Sequence, residues 1–266
     1  MNQLSPIFIA SPVRRSGTTL LQRLLCSSSD TVIYGEPAAN DLNLLTNISM
    51  TKHMMYDNYI NNWDNNFEKV LSGEVNDWIA DLMPPIQGYQ QIFDEALLSH
   101  LRYLESEAHK KDRSIWGIKM AEWPPALLRA LQSKLPASRL IYLVRQLEDC
   151  VRSAKRAGML NNLQEINQFC HIWQQHIHFM QSQYPNQRVL WMSFEALVQN
   201  PERCLQQIAQ FSGAGSIQSE VMQHRINTFK SDLQGDPSGQ GYMKPVELTE
   251  EEKEVLAKYK LDVQIA

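Results

Sequence analysis

The sequence predicts an α/β fold in three layers, a central parallel sheet covered by helices on both faces. Three observations carry this expectation. Short apolar, β-branched runs recur at Pro6–Ala10, Thr31–Tyr34, Ser114–Ile118, Arg139–Val144 and Arg188–Met192, as in strands buried on both sides. Stretches with apolar residues three and four apart separate most of them, which is helical spacing. Strands and helices alternate, the order that builds a parallel sheet. The 266 residues suit a single domain spanning 1–266 with a substantial core.

The elements follow in order. Pro6 and the Ser11-Pro12 pair bound the first strand. A polar loop follows, and Leu20, Leu21, Leu24 and Leu25 then mark one face of a helix starting near Gly17. Thr31–Tyr34 is a second strand ended by Gly35. Residues from about 40 to 112 are rich in Asn, Met, Tyr and Trp and lack a clear strand. They read as a helical insertion, broken at Pro84-Pro85. The alternation resumes with the strand 114–118, a helix over Ala126–Leu135, the strand 139–144 and a helix from about Leu147 to Ala157. Leu163, Ile166, Phe169, Trp173, Ile177 and Met180 define a long helix. After the strand 188–192, Asn200 is expected to cap a helix with Pro201 at its first position and Gly213 at its end. The stretch Asp236–Gly241 reads as a surface loop.

Composition narrows the function classes. Hydrophobic residues make up 43% and charged residues 20%, the ordinary globular range. A net charge of −4 argues against a general nucleic-acid binder. Cys26, Cys150, Cys170 and Cys204 show no CxxC spacing, so they read as free thiols in a reducing compartment. The opening MNQLSPIFIASPVRRSG has no basic leader, and no run reaches membrane-spanning length. A soluble cytoplasmic protein, with no membrane and no nucleic-acid partner, is the expectation; a homodimer stays open.

Ser11 to Thr19 sits between a buried strand and a helix. Gly17 permits close backbone approach, and the first N–H groups of a helix have no internal partner and carry the positive end of its dipole. Thr18 and Thr19 add hydroxyls, while Arg14 and Arg15 add charge. This is the chemistry of a phosphate or sulfate site. A Walker A loop, GxxxxGK[ST], fits poorly. Thr18 stands where its lysine belongs, Pro12 stands where its first glycine belongs, and the cation has moved to Arg15.

The residues extend into a resemblance. RSGTTL followed by YGEP resembles the sulfotransferases that use 3′-phosphoadenosine-5′-phosphosulfate (PAPS). Within them the chain is most similar to the branch of tyrosylprotein sulfotransferases and related bacterial enzymes. RLIYLVRQLEDCVRSAKR resembles that family's 3′-phosphate segment, WGIKM its lysine near the reaction centre, and RVLWMSFEALVQNPERCLQQIAQFSG its YE-x-L-V-x-x-P strand and helix. Ser238 through Lys244-Pro245-Val246 resembles a late serine and KPV segment. The likeness runs from residue 6 to about 246, apart from the insertion. Two departures stand out: Phe194 replaces the usual tyrosine, and Val13-Arg14 replace a Gly-x-Pro lead.

The resemblance implies a P-loop-like fold with the helical insertion over the active site. It implies PAPS as donor, 3′-phosphoadenosine-5′-phosphate (PAP) as product, and no metal. Arg14, Arg15, Ser16, Gly17, Thr18 and Thr19 would hold the 5′-phosphosulfate, and Arg145, Ser153 and Lys244 the 3′-phosphate. Arg15, Lys119 and Ser238 would stabilise the transferring group, with Glu36 as general base. From position alone, Glu36 reads equally as a surface glutamate after a strand. The expected acceptor is a hydroxyl or amine on a small molecule such as a secondary metabolite, chosen by residues 40–112 and 231–240. A peptide tyrosine, a P-loop nucleotide kinase and a non-catalytic nucleotide- or sulfate-binding protein are the alternatives. His171, His176 and His178 share one predicted helix and read as polar-face or lid residues. Tyr56, Tyr59, Trp63 and Phe67 fall at helical spacing and read as packing.

Overall fold

In a computed structural model, the described residues are 3–57, 60–76, 82, 84, 86–182, 187–224, 226 and 246–259. Five parallel strands form one sheet: β1 (Ile7–Ala10), β2 (Thr31–Tyr34), β3 (Ile115–Lys119), β4 (Arg139–Val144) and β5 (Val189–Ser193), in the order β2-β3-β1-β4-β5. Every described strand pair is parallel. This is the α/β architecture with a central parallel sheet expected from the alternating runs.

β1 lies in the middle because all four of its residues are apolar, and all four are buried. The register pairs Ile9 with both Lys119 and Ile141, and Ala10 with Tyr142. The carboxyl ends of β3, β1 and β4 therefore lie side by side. The chain also switches direction across the sheet at β1, the place where open α/β sheets bind ligands. On one face α1 (Thr18–Cys26) inserts Leu20, Leu21, Leu24 and Leu25 against Ile7, Ile9, Ile141 and Leu143. Phe8 points the other way and meets Trp123 edge-on, with ring centroids 5.3 Å apart.

Two compact units are present, one of residues 1–39 and 108–266 and one of residues 40–107. The second is helical. It contains most of α2 (Glu36–Asp57), all of α3 (Ile60–Leu71) and most of α4 (Ile86–His109). Within it Ser49 donates to Asp94 at 2.6 Å, and His53 meets the other oxygen of that carboxylate at 3.2 Å. Pro84 falls between α3 and α4; Pro85 and Tyr59 lie outside the described residues. Tyr56 belongs to α2 and Trp63 and Phe67 to α3, so the expected aromatic spacing is divided between two helices.

The first unit continues with α5 (Pro125–Lys134), α6 (Leu147–Arg156), α7 (Leu163–Gln181), α8 (Phe194–Gln199), α9 (Pro201–Ser212), a 3₁₀ turn (Ser219–Gln223) and α10 (Glu250–Ala257). One local expectation fails. Asn200 stands at the start of α9, but its side chain makes no capping bond. Its backbone N–H instead closes α8 on Ala196 O at 2.8 Å, so one residue ends one helix as it begins the next. The working cap belongs to α8, where the Ala196 N–H donates to Ser193 Oγ at 3.2 Å.

Candidate active site

The loop from β1 to α1 is shaped by its own hydroxyls. Ser11 and Ser16 both donate to the Val13 carbonyl, at 2.8 and 2.7 Å. Arg15 (φ 71°) and Gly17 (φ 96°) adopt left-handed backbone conformations. For an arginine that conformation costs about 1–2 kcal/mol, a strain often held at functional sites. Gly17 occupies the N-cap of α1 and supplies no side-chain cap. A β-carbon at Gly17 would strike the Phe194 ring. Ser16 is fully buried, and its hydroxyl also approaches Cys150 Sγ at 3.6 Å. Its hydroxyl is therefore engaged inside the loop, while Thr18 and Thr19 begin the helix.

The second anion segment converges on this loop. Arg15 Nε donates to Ser153 Oγ at 3.1 Å, and Arg145 Nη1 donates to Arg15 O at 3.2 Å. The Arg145 guanidinium lies 4.5 Å from the centre of the Phe194 ring, a cation–π contact. Phe194 thus lies against Gly17 and also carries Arg145, although it lacks the hydroxyl of the family's usual tyrosine. Burial, and then the neighbouring Arg145, push the Arg15 pKa down. Neither arginine is in an ion pair with an acid among the described residues. Arg145 Nε is buried with no hydrogen-bond partner among the described residues. Glu195 steadies the turn after Arg145: it accepts from the Gln146 N–H at 2.9 Å and from Ser193 Oγ at 2.9 Å.

At the neighbouring strand end, Lys119 donates to Glu36 Oε1 at 2.9 Å. The lysine side chain is 7% exposed and the glutamate side chain 51%, so the pair runs from the carboxyl end of an interior strand to solvent. Glu36 is the first residue of α2 rather than part of a loop after β2. Arg14 turns away from Arg15 and pairs with Glu122 at 3.3 Å. Glu122 also has a positive φ, 59°, and burial raises its pKa against the opposing pull of Arg14.

Of the twelve residues singled out from sequence, Arg15, Arg145 and Ser153 meet directly, and Glu36 meets Lys119. Ser238 and Lys244 lie outside the described residues, as does the 227–245 stretch that contains the Asp236–Gly241 loop. Two residues gain roles that spacing did not suggest. Glu195 orients the turn after Arg145. His176, half-buried on α7, has Nδ1 2.7 Å from Pro12 O. The signal for Glu195 was its place two residues after Ser193; none pointed to His176. Among the described residues, no cluster of three His, Cys, Asp or Glu side chains could hold a metal, and no helix is long and apolar enough to cross a membrane.

The model of the sulfotransferase family matches residues 6–215. No curated protein matches the chain. Among solved structures, the sulfotransferase domain of the olefin synthase from Synechococcus PCC 7002 aligns with a TM-score of 0.53 at 14% identity, over 99% of this chain and 98% of that one. The sulfotransferase domain from the curacin biosynthetic pathway aligns at 0.49 and 18% identity, over 98% and 100%. The mouse sulfotransferase SULT7A1, complexed with PAP, aligns at 0.44 and 14% identity, over 83% and 62%. At 14% identity, the match to the olefin synthase domain is one of fold.

Proposed function

The chain belongs to the sulfotransferase family, and we propose that it moves a sulfuryl group from PAPS to a hydroxyl or amine of a small-molecule acceptor. One observation carries the donor assignment. Arg15, two residues before the N-cap of a helix, and Arg145, which donates to its carbonyl, pair with no acid among the described residues, and one buried N–H of Arg145 has no acceptor among them. A doubly phosphorylated nucleotide supplies the missing charge and the missing acceptor.

PAPS brings a sulfuryl group already joined to a good leaving group, so the protein's task is positioning and charge stabilisation. The N–H groups at the start of α1, with Gly17, Thr18 and Thr19, hold the 5′-phosphate, and Ser16 keeps the loop closed beneath it. Arg15 stabilises charge on the bridging oxygen as the sulfur–oxygen bond to phosphate breaks. Arg145 and Ser153 hold the 3′-phosphate. Lys119 serves the sulfuryl oxygens, and Ser238 and Lys244 are assigned to the sulfuryl group and the 3′-phosphate. Glu36 takes the acceptor proton as the new bond to sulfur forms, and PAP departs. Its half-exposed carboxylate supports this role, because an acceptor can reach it. A nucleotide kinase is the weaker reading, since Thr18 follows Gly17 where a Walker lysine would stand.

Sulfur-labelled PAPS, offered with phenols, alcohols, amines and tyrosine peptides, tests the proposal. Transfer to a small molecule supports it. Transfer only to peptides moves the acceptor to the alternative class. Magnesium-dependent ATP turnover with no response to PAPS overturns the reading.

A further inference from the structure

We infer that His176 is a positioning residue for the donor loop, holding its entry through the Pro12 carbonyl; the inference rests on reading that loop as the PAPS site. The two residues are 164 positions apart, and the ring nitrogen Nδ1 lies 2.7 Å from Pro12 O. Proline has no N–H, so this carbonyl is the only backbone group Pro12 has for a hydrogen bond. The next carbonyl, that of Val13, already accepts from Ser11 and Ser16. The loop is therefore held from inside by two hydroxyls, and its entry is held from outside by His176.

Helix α7 fixes the ring. Trp173 and Ile177, three residues before and one after His176, are buried along the core face of that helix. A carbonyl only accepts, so Nδ1 must carry the hydrogen. Burial pushes the His176 pKa down, against a smaller opposing effect of the Pro12 bond. Near neutral pH the ring is then uncharged, with its hydrogen on Nδ1 rather than Nε2. Its contribution to anion binding is geometric. It sets where the loop leaves β1, and so where the amides from Arg15 to Thr18 point.

Calorimetric titration of PAP into the wild type, H176F and H176N tests this, with thermal unfolding measured alongside. Asparagine places an N–H near the position of Nδ1; phenylalanine fills the space without one. H176F is expected to bind PAP about tenfold more weakly, the scale of one hydrogen bond. H176N is expected to recover most of that loss even if both variants unfold at the same temperature. Equal binding by H176F and wild type, or H176N no better than H176F, overturns the inference. If H176F does not fold, nitrogen NMR of the wild-type ring decides. The Nδ1–H tautomer is expected at pH 7.5, and the Nε2–H tautomer overturns the inference. A wild type that does not bind PAP removes the donor-site reading, and the inference with it.

Discussion

Lys119 and Glu36 join the end of β3 to the first residue of α2 through a 2.9 Å ion pair in which the cation is buried and the anion half exposed. The asymmetry separates a chemical role for Glu36 from a structural one. Glu36→Gln keeps an oxygen for the lysine to donate to but removes the proposed base. Turnover should fall by at least about a hundredfold, with PAP binding unchanged. Glu36→Ala should do the same and, by leaving a buried ammonium without its acceptor, should also cost about 1–3 kcal/mol of stability. Single-turnover transfer assays and thermal unfolding read the two effects. A Glu36→Gln enzyme with wild-type turnover would remove the base assignment.

The role proposed for Arg145 at the 3′-phosphate is supported by its contact with Arg15 O, its stacking on Phe194 and a buried N–H with no partner among the described residues. Lysine offers a point charge and cannot reproduce that fork. Arg145→Lys should weaken PAP binding by about tenfold to a hundredfold, the range for charge-assisted hydrogen bonds. The wild type should lose a similar factor when PAP is replaced by adenosine 5′-phosphate, which lacks the 3′-phosphate. The variant should lose little more on the same replacement. Independent, additive losses across this cycle would show that Arg145 serves another part of the ligand.

The sheet was readable because buried parallel strands are short and uniformly apolar: Ile7–Ala10 and Arg139–Val144 could not pack in another way without exposing them. The meeting of Arg15, Arg145 and Ser153 was readable only through the likeness of spaced motifs, because no local rule brings residues 138 positions apart together. Glu36 at the head of a helix escaped because Gly35 marks only the end of a strand, yet Pro37 is well placed in a first helical turn, where its missing N–H costs nothing. His176 escaped for a different reason. Its partner is a backbone carbonyl, which leaves no mark on side-chain identity at the other end.

Gly17 is held between two constraints: a φ of 96° and the Phe194 ring beneath it. Gly17→Ala should therefore lower stability by about 1–3 kcal/mol and weaken PAP binding. The two contributions can be separated. Phe194→Leu removes the ring, so the double variant should recover the steric part but not the conformational part. It should also lose the Arg145 stacking, leaving PAP affinity low while stability partly returns. Chemical denaturation with parallel titrations tests this. Complete recovery of stability would mean that the left-handed backbone carries no cost.

Glu252 ties α10 to α6 from a buried position. It accepts from Lys155 Nζ at 2.6 Å and from the Thr249 N–H at 2.8 Å, while its own N–H donates to Thr249 Oγ1 at 3.3 Å. Burial pushes the carboxyl up, but the bonds from Lys155 and Thr249 outweigh it and hold the folded pKa below the ordinary value. The unfolded chain then takes up this proton at a higher pH than the folded one does. The stabilisation is full above the ordinary glutamate pKa of about 4.3, and is lost as pH falls through the lower folded value. Unfolding midpoints of wild type and Glu252→Gln should differ most near neutral pH and converge below about pH 4. Thr249→Ala removes the neutral half of the capping box and should cost about 1 kcal/mol with much less dependence on pH. A gap between wild type and Glu252→Gln that stays constant from pH 7 to pH 3 would mean that the charge on Glu252 contributes nothing, and that α10 is held by its packing on α7 and the 2.9 Å bond from Tyr259 to Asn167.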